Sequence, residues 1–408
     1  MGSADLRVAI VGAGIGGLCL ALALRERGMR AAVFEQASEL TEIGAAVALS
    51  ANATRELLRL GLGRRLESVA TIPTELIYRD GKDGHRIAAH AVRNGGHYLQ
   101  RFGAPYYGVH RAHLQAVLSD ALGTADLHLG CRLVGLAEES DSVVLTFADG
   151  RVEHADVVVG ADGVRSVVRR YITGTDDTVY SGTSAFRGIV PMEKLPSLPD
   201  PEAIQFWMGP GAHLLHYAIG GGADSVNFFA VVEGPPSWPR EGSWMAAIDP
   251  EEPAAAFAGW HPAVVEMVTA VPHTVRWALF AVRPLTRWHR GRVVLIGDAA
   301  HGMLPHHGQG ANTTIEDAVA LAALLSEAGR ADLASAFAAY QRLRRARTRT
   351  IQRSSWVTND LLHLGEGPAL AQRNEKVARY PDTFGWIHAY DVQQTLAGPG
   401  PSAFGPHG

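Results

Sequence analysis

Residues 12–17 read GAGIGG, and they sit between the run Arg7–Val11, apolar from Val8 on, and an Ala/Leu-rich stretch that stops near Gly28. No other feature restricts the fold as strongly. The apolar run predicts a strand, and the stretch after the glycines predicts a helix with Gly28 as its C-terminal cap. A second strand follows at Ala31–Phe34 and ends in Glu35. That order is the start of a parallel βαβ unit. In such a unit the first glycine makes the tight turn, the second lets a pyrophosphate approach, and the last packs helix on strand. Gly12, Gly14, Gly16 and Gly17 are therefore candidate phosphate-turn residues. The helix start offers amide donors and partial positive charge. Glu35 stands where an acid accepts from a ribose hydroxyl. The unit predicts a dinucleotide without saying which one; the other reading is a tight turn with no ligand.

Two later segments repeat the shape of an apolar strand, a Gly/Asp turn and a helix: GADGVRS at 160–166, and the run ending in Gly297-Asp298. Between the last turn and the next helix lies an unusual loop, HGMLPHHGQGAN at 301–312. The 408-residue length fits two domains, and a 47% hydrophobic content is enough for full cores. A net charge of −4 lacks the positive field that broad nucleic-acid binding needs. Cys19 and Cys131 lie far apart with no metal-type spacing, which points to a reducing cytoplasm. No signal-peptide pattern precedes the first strand, and the apolar stretch 18–24 is too short to span a bilayer. Neither a nucleic acid nor a membrane is expected as partner. The basic run at 342–349 is expected to be a solvated helix face packed on the first domain.

Helical periodicity appears at 52–60 and 111–122, then again at 311–326 and 331–355. Residues 71–103 are rich in turn signals, including Asn94-Gly95-Gly96, and 126–153 read as strands with an Asp149-Gly150 hairpin. From 181 to 283 the helical pattern fades into alternating segments such as 212–219 and 226–232. The fold expected is α/β: a Rossmann-like domain with a parallel sheet from 1–70, 104–175 and 285–355, carrying an inserted, mostly antiparallel sheet domain from 71–103 and 176–284. A helical segment (356–397) and a Gly/Pro-rich, disordered tail (398–408) complete it.

GAGIGGL with Glu35, HRAHL at 110–114, GADGVRS at 160–166 and GDAAH…GQGAN at 297–312 together resemble the single-component FAD-dependent aromatic hydroxylases, which share the para-hydroxybenzoate hydroxylase fold. The flanks WALFAVRPLTRW (277–288) and YQRLRRAR (340–347) look most like the salicylate hydroxylase and 3-hydroxybenzoate 6-hydroxylase branch. The resemblance implies FAD as cofactor, NADH or NADPH as co-substrate, O2, and hydroxylation of a hydroxy- or aminobenzoate through a flavin C4a-hydroperoxide. It implies an enzyme working as monomer or homodimer. It places Arg111 near the flavin phosphates or ribityl chain, Asp162 near both FAD and the nicotinamide nucleotide, and Asp298 on a ribityl hydroxyl. Gly310, Ala311 and Asn312 would turn helix amides toward the pyrimidine edge, where reduced flavin is anionic. Residues 308–310 and 44–48 would tolerate movement of the flavin ring.

On the strand at 212–219, the two-residue period puts His213 and Tyr217 on one face and His216 on the other. By the resemblance, His213 and Tyr217 hold or remove the phenol proton, and Gln309 lies beside flavin and substrate. Both His213 and Tyr217 read equally as core residues. Arg187 pairs with a substrate carboxylate or makes a structural salt bridge, and Trp207 and Phe228 wall an aromatic pocket or simply fill core. His306 and His307 depart from the family's usual aromatic or aliphatic pair. They join a proton relay, pack the loop, or form a metal site with His301; the last lacks a carboxylate or thiolate at the usual spacing, so no metal is expected. Three other functions stay open: a tailoring monooxygenase for a larger aromatic natural product, a flavin-binding protein without hydroxylase activity, and a non-flavin nicotinamide dehydrogenase.

Overall fold

The computed structural model describes residues 6–40, 46–93, 96–220, 223–239, 243–271, 275–365 and 367–398. Residues 44–45 of the expected hinge, Asn94 and Gly95 of the expected turn, and the tail from 399 onward lie outside the described residues.

The strand Val8–Val11 lies at the centre of a six-stranded sheet, between Ala31–Phe34 and Val157–Gly160. All three run parallel, as does Val293–Leu295 beside Val157–Gly160. Apolar side chains on both faces of these strands are buried, as a sheet covered on both sides demands. The helix Ile15–Arg25 covers one face and packs on the helix Gly310–Glu327. Gly16 permits that approach, because a Cβ there would stand 2.4 Å from Thr314 Cγ2. At Gly17 a Cβ would stand 1.9 Å from the Gly12 carbonyl oxygen, so only glycine lets the helix leave the strand at this angle.

An eight-stranded sheet forms the second layer system. It takes Glu75–Asp80 and Arg86–Ala91 from the turn-rich early stretch and the remaining strands from 178–282. Its pairings are antiparallel except that Ile204–Gly209 runs parallel to Glu75–Asp80. Register assigns the faces. Trp207, Leu214, Phe228 and Phe186 point to one side and form a buried cluster with Phe257, Val264 and Met267. His213, Leu215 and Tyr217 point to the other, as do their ladder partners Val231, Phe229 and Asn227.

Two regions depart from the sequence expectation. The stretch 181–283 holds two helices, Glu252–Ala256 and Pro262–Thr269, which cover the Trp207 face. The second starts with proline in its first turn and the His261 ring accepting from the Ala263 amide. Both are too short for a clear period. The last long helix spans Leu333–Leu362, seven residues beyond the predicted end at 355, because Ser355, Thr358, Asn359 and Leu362 continue its buried stripe.

The basic run is a correction. Arg344 and Arg347 are not solvated; both are fully buried. Glu316 accepts from Arg344 Nη2 at 2.5 Å and from Arg347 Nε at 2.9 Å, and Asp317 accepts from Arg344 Nε at 2.7 Å. Burial alone would raise both carboxyls, yet Arg347 and Arg344 hold Glu316 below its ordinary value, and His301 and Arg344 do the same for Asp317. This ion network rivets the long helix to the helix that begins at Gly310.

Candidate active site

Three turns more than a hundred residues apart converge at one edge of the parallel sheet. Gly12 (φ +108°) lies so close to the 160–166 turn that a Cβ would stand 2.5 Å from the Ala161 carbonyl oxygen. Gly16 and Gly297 flank the same side chain, Thr314. A Cβ on Gly310 would lie 3.8 Å from Asp298 Oδ1, so the head of the second helix and the third turn touch. Arg169, fully buried, donates to the Val164 carbonyl at 2.5 Å and the Ala299 carbonyl at 3.2 Å, joining the second turn to the third. Gln115 donates to the Ala13 carbonyl at 2.9 Å and steadies the first.

The arrangement suits an anionic, hydroxyl-rich ligand. The helix Ile15–Arg25 has no acidic residue in its first turn and no side-chain cap, and a Cβ on its N-cap residue Gly14 would meet open space. The helix Gly310–Glu327 begins in the same uncapped way. Amides left free at both starts are donors for phosphate or for an anionic ring edge. Glu35 is oriented by the Ala13 amide at 2.8 Å and the Ala37 amide at 2.9 Å. Asp298 has no side-chain hydrogen bond among the described residues, which leaves its carboxylate for a ligand hydroxyl. Asp162 accepts from Ser166 Oγ at 2.5 Å and from the Val167 and Val168 amides, so it caps the helix Val167–Thr173. Burial pushes its carboxyl up while those bonds pull it down. Arg111 opens the helix Arg111–Leu122 and is exposed.

Asn312 fixes the seat. Its side chain donates to the Ala48 carbonyl at 2.8 Å and the Gly308 carbonyl at 2.6 Å, and accepts from the Ser50 amide at 2.8 Å. Gln309 donates to Ser50 Oγ at 2.9 Å and accepts from Asn52 at 3.1 Å, which turns its amide into the body of the protein.

Beside this seat lies a histidine cluster. His213 Nδ1 is 2.7 Å from His363 Nε2, and the His306 ring stands edge-on to His213 with centroids 5.0 Å apart. Burial drives His213 well below its ordinary value, with His306 and His363 adding repulsion. Burial likewise lowers His306 to about 3 and His307 and His363 to about 4. These rings are neutral near pH 7. Tyr217 packs with Ala46 and Tyr106, and burial raises its phenol. Asn227, its ladder partner, accepts from the Ala46 amide at 3.1 Å, so this sheet face abuts the strand Ala46–Leu49.

The family profile described as FAD binding domain matches residues 5–355 of this chain. A 3-amino-4-hydroxybenzoate 2-monooxygenase of Streptomyces platensis is 39% identical over 388 residues, covering 95% of this chain and 96% of that one. A salicylate hydroxylase–substrate complex superposes with a TM-score of 0.82 at 28% identity, covering 99% of each chain. The HpxO protein of Klebsiella pneumoniae, solved with FAD and uric acid, gives a TM-score of 0.80 at 28% identity over 96% of this chain and 97% of that one. The chain belongs to the FAD-dependent aromatic monooxygenases.

In this monooxygenase the expected cofactor residues Gly12, Gly14, Gly16, Gly17, Glu35, Asp162, Asp298, Gly310, Ala311 and Asn312 gather around the three turns. Two expected pocket walls do not join His213. Trp207 and Phe228 lie on the opposite sheet face beneath Pro262–Thr269, because the two-residue period turns them away. Arg187 lies on the His213 face, its guanidinium stacked 3.2 Å from the Trp277 ring centroid. His301, His306 and His307 do not converge: His301 binds Asp317 at 2.5 Å, while His307 meets Ser354 at 2.8 Å and Tyr380 at 3.2 Å. The sequence reading missed His363, Ser50, Asn52 and Gln115. Only Gln115, next to the HRAHL run, carried a local signal. No helix among the described residues is long and apolar enough to cross a membrane.

Proposed function

We propose that this FAD monooxygenase hydroxylates a small phenolic acid of the hydroxy- or aminohydroxybenzoate type, with NADH or NADPH as reductant. Bound FAD supplies electron transfer from nicotinamide and activation of O2. The observation that carries the substrate reading is the sheet face that holds His213 and Tyr217 while abutting the strand Ala46–Leu49 and the His306 loop.

The chain's own residues divide the work. The uncapped helix at Ile15, with Gly12 and Gly14, holds the pyrophosphate, and Arg111 and Asp162 lie along the linker. Glu35 and Asp298 accept ribose and ribityl hydroxyls. The amides at 310–312 lie toward the ring edge that becomes anionic. His213, neutral at pH 7, takes the phenol proton, because the phenolate is the better nucleophile, and Tyr217 orients the phenol oxygen. Leu215 and Phe229 offer partly exposed apolar surface on the same face for the ring. His306 lies over His213, and Arg187 faces the same side for a carboxylate. Gln309 acts from within, holding Ser50 and Asn52 under the seat.

The test is a panel of 3-amino-4-hydroxybenzoate, 3-hydroxybenzoate, salicylate and unhydroxylated benzoate, scored for stimulated NAD(P)H oxidation and for product mass. A phenolic acid that gains one oxygen supports the reading. Hydroxylation confined to large polycyclic aromatics, or no coupling with any phenol, overturns it.

A further inference from the structure

Two neutral imidazoles joined by one hydrogen bond cannot choose tautomers independently. One nitrogen must donate and the other must accept. The His213 Nδ1 to His363 Nε2 contact, 2.7 Å long with both residues buried (2% and 8% exposed), imposes that constraint. If His213 donates through Nδ1, its Nε2 keeps a lone pair and is the base. His363 is itself fixed twice: its ring to His213, and its carbonyl accepting at 3.0 Å from the amide of Gly211, the turn residue just before the strand that carries His213.

The free ends of the pair differ from the rings around them. Both nitrogens of His306 are sealed from solvent with no hydrogen-bond partner among the described residues. His213 Nε2 and His363 Nδ1 have no hydrogen bond among the described residues, and His363 keeps 8% of its surface exposed. His213 belongs to the sheet face beside the flavin seat, whereas His363 ends the helix Leu333–Leu362 on the C-terminal segment. The charged or titratable groups facing the pair are His306, with His307 behind it, and the exposed Asp360 one turn before His363. Asp360 favours positive charge at the His363 end.

We propose that His363 is a positioning residue that sets the His213 tautomer and passes the substrate's proton away from the site to solvent. This rests on the reading of His213 as the base. The substrate O–H bond breaks as its proton bonds to His213 Nε2. The His213 Nδ1 proton passes to His363 Nε2, and the His363 Nδ1 proton leaves to water. The substrate loses one proton, solvent gains one, and no electrons move. The two rings finish in exchanged tautomers, and reprotonation of the product by the reverse passage restores them.

The test uses the full FAD-loaded enzyme with the most strongly stimulating compound of the panel. His363→Gln keeps a hydrogen-bonding group but cannot relay. It is expected to lower the phenol-to-phenolate absorbance change on binding and to slow hydroxylation about tenfold near pH 7, with flavin reduction unchanged. The deficit should shrink as pH rises and the phenol ionises unaided. His363→Ala should regain rate with added imidazole. Wild-type absorbance and rates in His363→Gln, an equal fall in reduction and hydroxylation, or no rescue by imidazole would each overturn the proposal. His213→Ala measured alongside separates the layers. If it is slow while His363→Gln is normal, the path is wrong and His213 stands as base; if it too is normal, both fall. Should the variants not fold, a proton inventory on the wild type decides: a curved dependence on deuterium fraction is expected, and a linear one refutes paired transfer.

Discussion

Two buried polar clusters flank the helix that begins at Gly310, and they are built on opposite plans. On one side, its own Glu316 and Asp317 are charged and paired with Arg344 and Arg347 through hydrogen bonds at 2.5–2.9 Å. In front of it, His213, His306 and His363 are neutral, and His306 has no partner for either ring nitrogen among the described residues. Paired charges in a dry interior gain little against a hydrophobic alternative but cost a great deal when split. They act as scaffold. Neutral imidazoles with spare nitrogens are poor scaffold and good proton carriers. On the proposed reading, the molecule thus separates what holds its cofactor seat from what acts on its substrate.

The largest expected effect tests the scaffold. Arg344→Ala takes from Glu316 and Asp317 the guanidinium they share and should cost about 3–5 kcal/mol in denaturant unfolding. A loss below about 1 kcal/mol would erase the contrast. Next comes the active cluster. His213→Ala should slow hydroxylation about a hundredfold or more while leaving FAD reduction and stability nearly unchanged, as stopped-flow traces of the two half-reactions would show. If both steps fall together, His213 is merely structural.

Acid should separate the clusters further. The unfolded chain protonates its histidines near 6.5, whereas the folded values of His306, His307 and His363 are about 3–4. Folded stability is therefore full above about pH 6.5 and falls as pH drops toward 4, because the unfolded state binds protons the folded state refuses. A melting temperature that is flat from pH 7 to pH 4 would contradict neutral burial. The smallest effect sharpens the sheet's two faces. Phe229→Leu should raise substrate KM several-fold, while Phe228→Leu, facing the helix Pro262–Thr269, should leave turnover within about twofold. Equal effects would blur the division.

These regions were unequally legible in the sequence. The parallel sheet was written in local order: strand, glycine turn, helix, acid, repeated at 160–166 and 297–298. The identity of the face carrying His213 was also legible, because alternation in a strand is local. What the sequence hid was pairing over distance. His213 and His363 lie 150 residues apart, and no spacing rule links them. The basic run at 342–349 read as a solvated face because its partners, Glu316 and Asp317, sit on another helix and look like ordinary surface acids. Trp207 and Phe228 read as pocket walls or as core, because aromatic content says nothing about which side of a sheet is covered.

The clamp made by the Asn312 side chain has a practical corollary. One amide ties the strand before Ser50 to the loop that carries His306 and His307. Attempts to retune selectivity by remodelling that loop would drag the prosthetic group's berth along with it. Mutagenesis aimed at new ring substituents belongs instead on Leu215 and Phe229, which are set on sheet strands rather than in that loop.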